Sequence, residues 1–322
     1  MNDPSAWRPT ASLAALRRRA QALATTREFF HARKVLEVET PALINAPVTD
    51  VNIGSVRVTL PGREGPLFLH TSPEYAMKRL LAAGSGDIYQ LCHVFRGAER
   101  GRQHNPEFTM VEWYRLGFSL EDLMREVAAL VGALLGRELP VEFLSYRDAL
   151  LRHASIDPLE TDIGTLRRAG QQLGLDPRAA HVAGRDELLD LIMGAQVGPA
   201  LGTESLTFIH RYPASQAALA RLDQEDRRVA LRFELYHRGM ELANGYHELT
   251  DPAEQRERFM ADQESRRARG LPVAALDPYL LLALDYGLPD CAGVALGFDR
   301  VLMLALGTTR IDDVLAFPTE RA

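Results

Sequence analysis

An α+β fold, an antiparallel sheet flanked by helices, is what three features of this 322-residue sequence predict. Strand-like runs come as hairpin pairs rather than alternating with helices: Asp87 to Arg96 with Pro106 to Arg115, and a second pair from about Val229 to Leu249. Helical periodicity marks separate stretches, Ser12 to about Arg33, Leu120 to Leu135 and about Pro252 to Arg269. A glycine-spaced strand then enters a last apolar helix after Gly293.

The elements follow in order. Ser12 is an N-cap, and Leu16, Ala20, Leu23 and Phe30 recur at helical spacing. The Arg17-Arg18-Arg19 run on that helix reads as a solvated face, with phosphate contact the alternative. Val35 to Thr40 alternates as a strand stopped by Pro41. Gly97, Gly101 and Asn105 make the polar loop of the first hairpin. Residues 146–205 are short helical patterns broken by glycines, an inserted helical segment without a chemical motif. Arg266, Arg267 and Arg269 before Gly270 are what a helix C-terminus prefers and need no function.

Composition narrows the class. Hydrophobic residues at 46% and charged residues at 25% are those of an ordinary folded protein. A net charge of −6 argues against a surface that coats nucleic acid. The N-terminus has no basic and apolar leader, and Val127 to Gly136 is about half a membrane span, so a soluble, unexported protein with no membrane partner is expected. Cys92 and Cys291 are too few for a disulfide framework and fit a reduced cytoplasm as small buried hydrophobes.

Four groups of residues carry chemistry. In an extended strand Phe108, Met110, Glu112 and Tyr114 share one face, presenting an aromatic ring, a carboxylate and a phenol together. Arg96 ends the facing strand where the loop begins, a place for a guanidinium to meet a phosphate, or for a surface salt bridge. A turn centred on His237-Arg238 puts Glu234 opposite Glu241, with Cβ atoms about 5 Å apart. Either a hard divalent cation or arginines such as Arg232 or Arg238 relieve that repulsion. Glu248 lies an odd seven residues further on and joins this face only if Asn244-Gly245 forms a bulge. Gly293-Val294-Ala295-Leu296-Gly297-Phe298-Asp299-Arg300 is small at alternate positions, as for close approach of a ligand or for tight packing, and puts Arg300 near a helix start. Neither GxGxxG nor GxxxxGK[ST] occurs, which argues against Rossmann and P-loop nucleotide sites.

Pro41 after a strand, Phe95-Arg96 opening a loop and Gly297-Phe298-Asp299-Arg300 opening a helix resemble the three ordered motifs of class II aminoacyl-tRNA synthetases. His104-Asn105-Pro106-Glu107-Phe108-Thr109, and Glu241-Leu242-Ala243-Asn244-Gly245 with Glu248-Leu249, are similar to the lysyl branch. Thr71-Ser72-Pro73-Glu74-Tyr75, Tyr212 to Ala217 and Gly293 to Gly297 look closer still to its paralogues, the elongation factor P (R)-β-lysine ligases. Ser72 and Ala295 replace the alanine and glycine usual in lysyl-tRNA synthetases.

The resemblance implies one class II catalytic core over residues 12–322 without an anticodon-binding domain. It also implies a homodimer formed through the strand ending at Pro41, and chemistry with ATP and Mg²⁺ on (R)-β-lysine or lysine. The acceptor it implies is a lysine of elongation factor P rather than tRNA, the alternatives being a truncated lysyl-type synthetase acting on tRNA or a small acceptor and a non-catalytic dimeric binding module. Residue by residue, Arg96 holds the α-phosphate, and Phe108 and Arg300 sandwich adenine. His104 and Asn105 approach the ribose-phosphate end, with Leu242 and Gly297 completing the nucleotide set. Glu234 and Glu241 bind Mg²⁺. Glu74, Tyr114 and Glu248 receive substrate ammonium groups with Glu112 as a further partner, and Ser72, Pro73 and Ala295 shape the pocket around the β-amino group. One departure stands out: Ala98 occupies the place of the adenine-reading glutamate of the family's Phe-Arg-x-Glu, and Glu99 comes one position late.

Overall fold

The computed structural model describes residues 7–97 and 99–322, and these described residues form eleven strands and ten α-helices. The strands are β1 (Leu36–Glu37), β2 (Leu43–Ile44), β3 (Arg57–Val58), β4 (Leu67–Leu69), β5 (Ile88–Phe95), β6 (Glu107–Leu116), β7 (Val141–Ser145), β8 (Leu206–Pro213), β9 (Val229–His237), β10 (Met240–His247) and β11 (Cys291–Gly297). The helices are α1 (Leu13–Ala32), α2 (Glu74–Ala82), α3 (Leu120–Leu135), α4 (Tyr146–Ala154), α5 (Ile163–Gln172), α6 (Pro177–Val182), α7 (Arg185–Ile192), α8 (Pro252–Ala268), α9 (Pro278–Gly287) and α10 (Phe298–Leu306). Two compact units divide the chain: the first takes residues up to Phe118, Ala129–Glu138 and Leu249–Ala322, the second Ser119–Ala128 and Leu139–Glu248.

In the first unit the strands run β1-β5-β6-β11, with β5, β6 and β11 antiparallel and β1 parallel to β5. Ser12 caps α1 by accepting from the Ala15 amide at 3.1 Å. The buried face of α1 is Ala15, Ala22, Thr26, Phe29 and Phe30, not the expected Leu16-Ala20-Leu23 stripe, and Ala20 is exposed. Thr26 can be buried because its hydroxyl donates to the Ala22 carbonyl at 2.9 Å, so apolar character alone misplaced the stripe. Phe30 stacks on Tyr89 at 4.3 Å between ring centroids and meets Trp113 edge-on at 5.3 Å. The strand expected from Val35 to Thr40 shrinks to Leu36–Glu37, where pairing with Ile88 and Tyr89 ends. β2, β4 and β3 form a separate small sheet, and α2 packs on α9. Arg266 ties the end of α8 to the Pro272 and Asp50 carbonyls, a structural use of that arginine cluster.

In the second unit β7 and β8 are parallel, and α4 to α7 in residues 146–205 connect them as a crossover does. Leu150, Leu166, Leu188, Ile192 and Ile209 share its apolar core. β8, β9 and β10 continue antiparallel. The β9–β10 turn is Arg238-Gly239, one residue later than the sequence suggested, with φ of 50° and 68° at its two residues. Both are left-handed, as a two-residue type I′ hairpin turn requires. Leu201 and Gly202 brace this turn, their carbonyls accepting from the Gly239 and Arg238 amides.

Candidate active site

The registry of β5, β6 and β11 builds a three-strand row. Gln90, Glu112 and Ala295 are direct neighbours across the strands, as are Ile88, Tyr114 and Gly293 one step along. Paired residues share a face, so the face read from alternation, Phe108, Met110, Glu112 and Tyr114, also carries the small residues Gly293, Ala295 and Gly297. Glu112 is 2% exposed, and its two oxygens accept from Ser72 Oγ at 2.6 Å and Tyr114 OH at 2.8 Å. Ser72 Oγ in turn accepts from the Glu74 amide at 3.0 Å, while Pro73 is the N-cap residue of α2. Burial, then the Glu112 charge, push the Cys92 thiol up to about 12, which leaves it an unreactive thiol.

Glu74, expected to receive a substrate ammonium, holds a lysine of its own helix in this structure. Its carboxylate accepts from buried Lys78 Nζ at 2.6 Å, an i,i+4 pair on α2. The spacing was visible in the sequence, where Lys78 is one of two lysines, but nothing in a helical pattern says that the pair is buried.

Two cations follow, Arg96 where the polar loop begins and Arg300 in α10. Arg96 follows β5, with Nε 3.4 Å from the Thr71 carbonyl, NH1 3.2 Å from Glu99 Oε1 and Cζ 5.2 Å from the Phe108 ring centre. Arg300 NH2 lies 2.5 Å from His104 Nε2, so that nitrogen accepts and the imidazole is neutral. Burial first, then the Arg300 charge, hold His104 below its ordinary pKa. Asn105 is buried and internally engaged: its amide donates to the Glu107 carbonyl at 2.6 Å and its oxygen accepts from the Thr319 amide at 3.2 Å. It therefore shapes the loop. Ala98 lies outside the described residues; Glu99 is placed against Arg96.

Sequence reasoning missed Arg19. Its guanidinium bonds Asp299 Oδ1 and Thr109 Oγ1, both at 2.5 Å, while Asp299 Oδ2 accepts from the Thr109 amide at 2.7 Å. Asp299 stands beside Arg300, and Thr109 beside Phe108. Thus the run read as a solvated face gives one arginine to the support of both expected adenine partners, and Arg18 donates to the Leu134 carbonyl.

The second unit carries an acidic face. Glu241 pairs with Tyr236, and Glu234 pairs with Asn244, so the two carboxylates are diagonal rather than directly opposite as expected. The later turn causes the shift by setting Glu241 opposite Tyr236, and a bulge between Glu241 and Ala243, with Leu242 the extra residue, then sets Asn244 opposite Glu234. The bulge was expected at Asn244-Gly245; at Leu242 it has the same effect, bringing Asn244, Tyr246 and, by continued alternation, Glu248 onto the face of Glu234 and Glu241. Asn244 and Tyr246 are members the sequence reading passed over, and alternation counted back from Glu248 would have found them. Arg232 NH2 binds Glu234 Oε1 at 2.5 Å and Tyr236 OH binds Oε2 at 2.7 Å. Burial disfavours the Arg232 charge, but Glu234, with Glu241 further down, outweighs it and raises its pKa. Of the two ways to relieve the acidic pair, arginine pairing is thus present for Glu234. Glu248 is buried at the Ala220 bridge.

The antiparallel β5-β6-β11 sheet, with Arg96 following β5 and Gly297-Phe298-Asp299-Arg300 opening α10, fits the class II synthetase core that the resemblance implies. A family model described as tRNA synthetases class II (D, K and N) matches residues 5–321, and the chain belongs to that family. The chain is 50% identical to a protein of Edwardsiella ictaluri (strain 93-146), 51% to one of Salmonella typhi and 50% to one of Pectobacterium carotovorum subsp. carotovorum (strain PC1). Each alignment spans 326 residues and 100% of both chains, and all three relatives carry the name elongation factor P–(R)-beta-lysine ligase.

Proposed function

We propose that this protein is an ATP-dependent aminoacyl ligase that adenylates (R)-β-lysine and transfers it to a lysine side chain of elongation factor P. Likeness over the whole length to ligases of that name carries the reading. In the first step a substrate carboxylate oxygen attacks the ATP α-phosphorus and the bond to pyrophosphate breaks. In the second the acceptor amine nitrogen attacks the acyl carbonyl, losing a proton as AMP leaves. The chain's part is positioning and charge neutralisation, with no protein nucleophile. Arg96 faces developing negative charge on the phosphoryl oxygens, Phe108 and Arg300 flank adenine, and neutral His104 orients Arg300. Glu112, with Ser72 and Tyr114, receives a substrate ammonium, and Ala295 beside it sets the room for the β-amino position.

Mg²⁺ prefers hard oxygens and is usually held by one or two carboxylates completed by substrate phosphates. Glu241, with Glu234 on the same face, fits that donor class, and no cluster of three or more acidic, His or Cys ligands exists among the described residues. Bound there, the ion would neutralise phosphate charge. No described helix is long and apolar enough to cross a membrane, and a cytoplasmic setting accords with the two free cysteines. A homodimer through the β1 edge, where Leu36 is 55% exposed, belongs to the same reading; a monomeric mass at micromolar concentration would contradict it.

The test is pyrophosphate exchange into ATP with α-lysine, (R)-β-lysine or no amino acid, followed by transfer of label to elongation factor P or tRNA. Exchange strongest with (R)-β-lysine and label on elongation factor P are expected. Absence of exchange with any amine-bearing acid overturns the reading, and label on tRNA alone replaces the acceptor. Ala295→Gly shifts preference toward α-lysine, and an unchanged preference removes Ala295 from the pocket.

A further inference from the structure

Gln90 is a buried polar side chain that the mechanism above does not use. It sits in the middle of β5, 3% exposed, and is the direct cross-strand partner of Glu112, whose other neighbour is Ala295. Direct partners on one sheet face have Cβ atoms about 5 Å apart, so the amide and the Glu112 carboxylate stand side by side. Gln90 also lies next to Cys92, the thiol on which its amide acts. Its Oε1 is buried and meets no hydrogen-bond donor among the described residues. A buried carbonyl oxygen without a donor is costly, and one beside a carboxylate is doubly so, since both groups are acceptors.

A group with several N–H donors and a positive charge turns that arrangement from repulsive to attractive. An alkylammonium has three donors, enough to meet both Glu112 and Gln90. A neutral amide is suited to this place because it supplies an acceptor without adding a second buried negative charge.

We propose that Gln90 is a specificity-determining residue whose Oε1 accepts a hydrogen bond from one ammonium group of the substrate, beside Glu112. The inference rests on the ligase reading and adds a contact to its amine pocket. Gln90→Met removes the acceptor at similar length, and Gln90→Glu keeps it. In pyrophosphate exchange with the full chain, Gln90→Met raises KM for (R)-β-lysine on the order of tenfold to a hundredfold, the worth of a hydrogen bond to a charged group. Its kcat and its KM for ATP stay near wild type, which separates a contact from a general loss of structure. Monoamino analogues that lack either the β- or the terminal ammonium serve as competitive inhibitors. Wild type discriminates against both, and Gln90→Met loses discrimination for one of them only.

Equal rises in both KM values, or an unchanged amino-acid KM in folded Gln90→Met, overturn the inference while wild-type exchange leaves the ligase reading standing. Absence of exchange by wild type overturns both. Should Gln90→Met not fold, Gln90→Glu decides, since an extra charge at an ammonium contact holds or lowers the amino-acid KM, and a tenfold rise overturns the contact.

Discussion

Arg19→Met is the most informative single change, because it tests whether a helix far away in sequence holds the nucleotide residues in place. The Arg19 side chain is 17% exposed and that of Asp299 2%, so the change leaves a buried carboxylate that keeps the Thr109 amide as a donor. Breaking a buried pair by removing one partner costs about 3–5 kcal/mol, and the partial exposure of Arg19 places this case near 3. Both tryptophans lie in the first unit, Trp7 exposed and Trp113 fully buried, so the fluorescence change on unfolding reports that unit. With a urea slope of roughly 2–3 kcal/mol/M, the midpoint falls by about 1–1.5 M. Loosening Asp299 and Thr109 displaces Arg300 and Phe108, so kcat/KM for ATP falls on the order of tenfold to a hundredfold, well beyond the change for the amino acid. Arg19→Met with Asp299→Asn removes both charges and recovers at least ~1 kcal/mol of the loss. A midpoint shift below about 0.3 M, or equal effects on the two substrates, would refute the supporting role.

Three further outcomes are expected. Glu241→Ala lowers Mg²⁺-dependent exchange on the order of a hundredfold or more without moving the thermal transition, and full exchange would remove it from the metal site. Gly202→Ala destabilises the second unit by about 2–4 kcal/mol on thermal melting by circular dichroism. Its φ is +64° and an added Cβ would stand 2.6 Å from the Tyr236 carbonyl oxygen, so an unchanged melt would refute this account of the turn. His104 has its pKa lowered from 6.5, by burial and then by Arg300. Just below pH 6.5 the unfolded chain therefore binds more protons than the folded one, and stability falls on acidification. His104→Gln lessens the slope of urea midpoint against pH in that window. An unchanged slope leaves it to His70 and His210, which burial also holds down.

Local pattern was enough wherever a property depends on spacing alone. The hairpin of β5 and β6 lies within a residue or two of its expected limits, α3 runs from Leu120 to Leu135 as read, and alternation identified the Glu112 and Tyr114 face. It was insufficient where a partner is distant or a turn type decides. Nothing in the α1 periodicity reveals that Arg19 meets Asp299, 280 positions away. Nor is Arg238 a residue one expects at φ 50°, so the β9–β10 turn was placed a residue early.

The acidic face shows why such an error did not lose the site. Seven residues separate Glu241 from Glu248, and an odd step puts two side chains on opposite faces unless one residue is extra. Any single bulge between them restores the common face, whether at Asn244-Gly245 or at Leu242. Which residues share a face depends on the number of bulges, whereas which residues stand opposite one another depends on the bulge position and the turn. The shared face of Glu234, Glu241 and Glu248 was therefore accessible from the sequence once one bulge was allowed. The diagonal placement of Glu234 and Glu241 was not, because it follows from left-handed backbone at Arg238, which carries the turn one residue further along the chain.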